Sequence, residues 1–273
     1  MKRIMFIIMA VLIAGSVLLS GCGTGEQNVI LTYKFNPDKI YHYKFDSRSK
    51  STMFENDKVV HRGDKSLEIL YTQETVSIID GTKANVRFTY TSNNLEKPET
   101  WSNEFVMSSD GRVIGFGMQN DSSGQSLDYY RKLMEQAAPV YPDEPISPGF
   151  SWNNTVKVLL AEGNTDAATT YKLRAIVREA GYNCAVIEYK GTMYIPLSKG
   201  PGDAPDAKIS GTDKIEVEGV SYFAYAEGII IKEQETSHLL REGSILKSGK
   251  SINFRIEEDR KRQTILKEIE KKN

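Results

Sequence analysis

The 273-residue chain carries three histidines and two cysteines, and their spacing decides which metal or thiol chemistry is open to it. His42, His61 and His238 stand apart, and none has a second histidine or a cysteine at ligand spacing, so no zinc site is expected. Ser248-Gly249-Lys250-Ser251 has the ending of a phosphate-binding loop, but Gly243 lies one residue too far away to bring backbone N–H groups around a phosphate. Ser47-Arg48-Ser49-Lys50 and Ser244-Ile245-Leu246-Lys247 fit Ser-x-x-Lys, yet both fall in strand or loop patterns rather than at a helix start. Asn120-Asp121-Ser122-Ser123-Gly124 offers too few carboxylates for calcium, even with Asp128. No Gly-x-Ser-x-Gly elbow occurs. The expectation is a protein with no catalytic residues, no metal and no cofactor, in which no motif singles out a ligand-binding residue. Cys184, inside Asn183-Cys184-Ala185-Val186-Ile187, reads as a buried, inert thiol.

Cys22 is different because of what precedes it. Met1-Lys2-Arg3 opens the chain with positive charge, and Ile4 to Leu19 then runs sixteen residues without a charge. Such a run covers roughly 24 Å as a helix, short of a bilayer's hydrocarbon core, and has the length of a signal peptide. Its exit, Leu19-Ser20-Gly21-Cys22, resembles the lipobox of bacterial lipoproteins. That resemblance implies cleavage before Cys22 and a diacylglycerol on its thiol, with an acyl chain (typically palmitate) on the new N-terminus. Two or more chains anchor stably where one does not. It also implies a cell-envelope location. Gly23 stands where an inner-membrane retention signal would have Asp, so the expected place is the periplasmic face of the outer membrane in a two-membrane host, and otherwise the outer face of the cell membrane.

Composition is that of an ordinary globular domain. The chain is 40% hydrophobic and 26% charged, with 35 basic and 36 acidic residues, so it has no basic footprint for nucleic acid. With Cys22 acylated, Cys184 has no partner for an intrachain disulfide.

The elements that would carry any site are strands. Leu31, Tyr33 and Phe35 alternate with polar residues, Asn36-Pro37-Asp38-Lys39 offers a turn, and Tyr41, Tyr43 and Phe45 alternate again, which predicts a hairpin with one apolar face. Further strands are expected at about 58–61, 67–79, 84–91, 104–107 and 113–116, with Asp80-Gly81 and Asp110-Gly111 as turns. A helix is predicted from a Ser126 cap, with Leu127, Tyr130, Leu133, Met134 and Ala137 on one face. Pro139, Pro142, Pro145 and Pro148 then form a stiff crossover. The hairpins at 171–189, through Ala180-Gly181, and 220–233, through Glu227-Gly228, loosely repeat the first half, with 198–213 as an inserted mobile loop.

The predicted organisation is a signal peptide at 1–21, the lipidated cysteine and tether at 22–28, and an antiparallel β domain at 29–256. Its halves, 29–138 and 149–256, are joined by the proline-rich 139–148, and a charged helix or tail follows at 257–273. The fold class expected is mainly β, a long antiparallel meander forming a curved sheet or half-barrel of two loosely repeated halves, with one internal helix.

The lipobox, the Tyr-rich start, the stretch Tyr141-Pro142-Asp143-Glu144-Pro145-Ile146-Ser147-Pro148-Gly149-Phe150-Ser151-Trp152 and the later Gly211-Thr212 together resemble a family of uncharacterised bacterial cell-envelope lipoproteins. The resemblance extends to half-barrels of the LolA, LolB and RseB type, which wrap a curved antiparallel sheet around an apolar cavity. It implies a non-catalytic, membrane-anchored protein that binds an apolar ligand or lipid in its sheet. An adaptor docking an envelope complex is the alternative, and an envelope hydrolase a third. The implied partners are the membrane and a lipid or an envelope protein, with no nucleic acid.

Overall fold

The computed structural model describes residues 28–92, 99–116, 140–160, 163–197, 208–247 and 250–272. Eleven strands form one antiparallel sheet: β1 (Lys39–Glu55), β2 (Lys58–Asp80), β3 (Lys83–Ser92), β4 (Glu99–Ser108), β5 (Val113–Phe116), β6 (Ser151–Leu160), β7 (Gly163–Glu179), β8 (Tyr182–Pro196), β9 (Lys208–Ala224), β10 (Ile229–Lys247) and β11 (Lys250–Lys271). Their order across the sheet is β5-β4-β3-β2-β1-β11-β10-β9-β8-β7-β6, so the sheet is open, with β5 and β6 at its edges. Among the described residues no helix is long and apolar enough to cross a membrane. The helix expected over 126–138, the leader and Cys22 lie outside the described residues.

Hairpins follow from local chemistry. Asn56 and Asp57 both take positive φ, 46° and 64°, as the two central residues of a primed turn must, and they join β1 to β2. Ala180 (φ 48°) and Gly181 (φ 89°) do the same between β7 and β8. From β1 to β5 and from β6 to β11 the chain steps across the sheet in the same direction, and the first strand pairs with the last.

Three expectations are corrected. Residues 257–273 are not a charged helix or tail, because Glu257 to Lys271 lie in β11 at the centre of the sheet, between β1 and β10. Their charges alternate along a strand and meet partners on its neighbours: Arg262 Nη1 donates to Glu235 at 2.9 Å and His42 Nε2 meets Glu270 at 2.9 Å. Leu266 and Ile269 meanwhile pack against buried Tyr41 and Tyr43. The second correction concerns the first hairpin. Both flanks of Tyr41–Phe45 are taken, by β2 and β11, so the 29–35 segment cannot pair with it. It crosses the sheet instead, and among the described residues its one ladder contact is the bridge Val29–Ile146. Part of the loop expected at 198–213 is also strand: Asp213 lies in β9, 5% exposed, and accepts two hydrogen bonds of 2.7 Å from Arg241 on β10.

The crossing segments hold one end of the sheet in a curl. The N–H of Tyr33 donates to Ser109 O at 2.7 Å and that of Lys34 to Gly228 O at 3.2 Å. The N–H of Tyr141 donates to Asp110 O at 3.1 Å, while Trp152 Nε1 donates to Val140 O at 3.0 Å. Consecutive residues thereby bridge the turn after β4 to the start of β6, strands near opposite edges. The space enclosed is filled by Val29, Leu31, Tyr141 and Ile146, packed on Leu173, Ile187 and Phe223. Phe35 extends this packing onto Val86 and Phe105 at the other flank. A core built this way removes apolar area from water without a second sheet.

Candidate functional site

The two faces of the sheet differ in chemistry, because side chains alternate along every strand. The face toward the crossing segments is aromatic. Tyr43, Tyr71, Tyr90 and Trp101 stand directly opposite one another on β1, β2, β3 and β4. Their rings form a continuous ladder with centroid spacings of 4.9, 5.7 and 5.5 Å. It begins in the core, where Tyr43 is 4% exposed, and ends in solvent, where Trp101 is 42% exposed. Such stacked pairs are worth about 0.5–1.5 kcal/mol each beyond their area. Leu67, on the same face of β2, is 40% exposed.

A second ladder runs in from the other edge. Trp152 stacks on Tyr171 at 5.3 Å, and Tyr171 meets Tyr189 at 5.9 Å, again in direct cross-strand register. Tyr189 faces Gly219 on β9, where a Cβ would come within 2.3 Å of its ring. That gap lets the ring lie across β9 and its hydroxyl donate to Glu233 (3.2 Å) and Glu235 (3.3 Å) on β10. Glu235 is also paired with Arg262. A small polar network thus sits between the two ladders.

Burial sets the electrostatics of this face. It pushes the phenols of Tyr90 and Tyr171 up to about 12 and those of Tyr43, Tyr71 and Tyr189 higher still, so they act as neutral donors and apolar walls. Burial also raises the Glu233 carboxyl above its usual range, opposed by the hydrogen bond from Tyr189. The arrangement presents aromatic rings and neutral phenols on one face, with the Glu233–Tyr189–Glu235 network between the two ladders.

The opposite face is charged and hydroxylated. Two contiguous hollows of about 1300 and 810 Å³ open on it, sharing Arg48, Lys190, Glu218, Thr236 and Lys261.

The residues weighed in the sequence are dispersed. His42 and His238 lie on β1 and β10, the latter bonded to Asp259 at 2.9 Å, and His61 is exposed on β2. Among the described residues no group of three or more His, Cys, Asp or Glu could hold a metal ion. Both Ser-x-x-Lys stretches lie in strands, β1 and β10. Cys184 is fully buried on β8, and burial raises its thiol to about 11. The aromatic ladders escaped the sequence reading. Their period-two spacing was visible strand by strand, but only the register across β1 to β4 joins Tyr43 to Trp101.

Fold and site together define the class: an open, curled antiparallel sheet with one aromatic and one charged face. No protein-family model matches the chain, and no curated protein matches it. Among solved structures, it is similar to the hypothetical lipoprotein YmcC from Escherichia coli (K12), at 13% sequence identity and a TM-score of 0.25, over 78% of this chain and 85% of that chain.

Proposed function

We propose that this chain is a lipid-anchored, non-catalytic protein of the bacterial cell envelope that holds an apolar ligand, or a partner's lipid, against the aromatic face of its sheet. The anchor rests on the Leu19-Ser20-Gly21-Cys22 motif behind a charged start and an apolar run. The six residues from Gly23 to Asn28 keep the domain within about 20 Å of the anchored cysteine. The observation that carries the ligand reading is the four-ring ladder from buried Tyr43 to half-exposed Trp101, which leads from the core to open solvent along one apolar face. Contiguous exposed apolar surface of this kind marks a binding face.

Trp101 and Trp152 are the chain's two tryptophans, which makes the test direct. In a Trp152→Phe protein, titration with oleate is expected to shift Trp101 emission to the blue and to saturate. Emission unchanged up to the solubility limit of the fatty acid counts against ligand binding there. One observation favours an adaptor docking a protein on the same face: residues 29–35 and 140–150 already fill the curled end. Crosslinking from Trp101-neighbouring positions in intact cells separates the two, since an adaptor gives a reproducible protein adduct and a carrier does not.

A further inference from the structure

On the charged face Arg48 and Lys261 stand directly opposite each other on β1 and β11. Like charges in that relation repel, and a sheet ordinarily places a carboxylate opposite a cation. Here neither cation has one directly across the sheet. Among the carboxylates on the diagonals, Asp46 is engaged with Lys44 at 3.2 Å and Asp259 with His238 at 2.9 Å, while Asp64 stands opposite Lys50 and lines the same hollow; farther along the row Glu218 meets Lys190 at 3.3 Å. The lateral neighbours of the pair are hydroxyls, Ser66 beside Arg48 on β2 and Thr236 beside Lys261 on β10. The row Ser66–Arg48–Lys261–Thr236 therefore sets two positive charges side by side between two hydroxyl residues. Both cations, with Thr236, line the waist where the two hollows meet.

We infer that Arg48 and Lys261 form a binding site for a multiply charged oxyanion, the phosphate or diphosphate group of a small molecule seated in the hollow. Directly opposed residues have Cα atoms only about 4.5–5.5 Å apart, so a guanidinium and an ammonium can converge on one oxyanion. The guanidinium supplies a planar fork that matches two oxygens, and the ammonium a second, rotatable donor. An anion between them turns the repulsion of the empty row into attraction. Aromatic stacking surfaces, which neutral sugars favour, are nearly absent from the waist, and the smaller hollow, about 810 Å³, has the size of a small-molecule site while the larger exceeds it. This inference is independent of the apolar ligand proposed for the other face.

The test is calorimetric titration of the full chain with inorganic pyrophosphate, beside Arg48→Gln, Lys261→Gln and the double variant. Saturable binding at one site is expected, competed by inorganic phosphate and weakened about tenfold or more by either substitution. The melting temperature of the double variant should equal or exceed the parent's, because an opposed like-charge pair is removed, so lost binding cannot be laid to misfolding. Absence of saturable binding, or affinity in the double variant within twofold of the parent, overturns the site. Binding to phosphatidylglycerol vesicles without binding to pyrophosphate also overturns it, since that is attraction to a charged surface.

Discussion

Ser109 and Gly228, six strand steps apart in the sheet, accept hydrogen bonds from consecutive residues, Tyr33 and Lys34. At the usual spacing of strands a flat sheet would hold their turns roughly 29 Å apart. The two bonds measure 2.7 and 3.2 Å, so this end of the sheet is curled until opposite flanks meet over the 28–36 segment. The curl turns a one-layer sheet into a fold with an interior.

Gly228 is the tightest point of that latch. Its φ is +71°, and a Cβ there would lie 2.3 Å from the backbone nitrogen of Lys34. Gly228→Ala should cost about 1–3 kcal/mol from strain and displacement of the 28–36 segment. Gly81→Ala, at a turn where a Cβ meets nothing within 4 Å, should stay within about 0.5 kcal/mol of the parent. Urea unfolding of both variants checks the contrast, and equal losses would count against the latch.

Ala180 offers a gain. Its φ of 48° places a residue with a Cβ in the left-handed region, at the first central position of the turn between β7 and β8. Ala180→Asn should stabilise by roughly 0.5–1 kcal/mol, because asparagine tolerates that conformation. The expected outcome is a higher urea midpoint with an unchanged slope.

The tight turns were legible in the sequence because their determinants are local: Asp80-Gly81, Ala180-Gly181 and Glu227-Gly228 all join consecutive strands. What misled was alternation without knowledge of the partner. Leu31 and Tyr33 alternate as a strand would, yet their apolar sides fill a curl whose far wall, Phe223, lies some 190 residues along the chain. The charged run after Glu257 carries no continuous apolar stripe of its own, so its place between β1 and β10 emerges only when Glu235 is set opposite Arg262. The aromatic ladders are a property of register and not of any segment.

Glu233 should give a pH signature. Burial raises its folded-state pKa, so the folded protein binds this proton more tightly than the unfolded chain does. The stabilisation is complete below the ordinary glutamate value of roughly 4.3 and is lost as pH rises through the raised value. Glu233→Gln keeps an oxygen for the Tyr189 hydroxyl and removes the charge. Its melting temperature relative to the parent should therefore rise between pH 4 and pH 8. A difference that is flat, or that falls, contradicts the burial of a charged carboxylate at this position.

Cys184 should be silent toward thiol reagents in the native state. Its side chain is fully buried and its thiol is raised to about 11, so little thiolate exists at pH 8. Ellman's reagent is expected to find no thiol in the native protein taken from its membrane and one after unfolding. Two thiols after unfolding would mean that Cys22 is unmodified.

Anchor and ligand are both read by intact mass and lipid extraction of the protein taken from its own membrane, beside a Cys22→Ser form. A diacylglycerol adduct and an N-terminal acyl chain are expected on the parent alone, with a co-purifying lipid in both. A parent without an adduct contradicts the anchor, and two empty domains contradict the ligand-binding face.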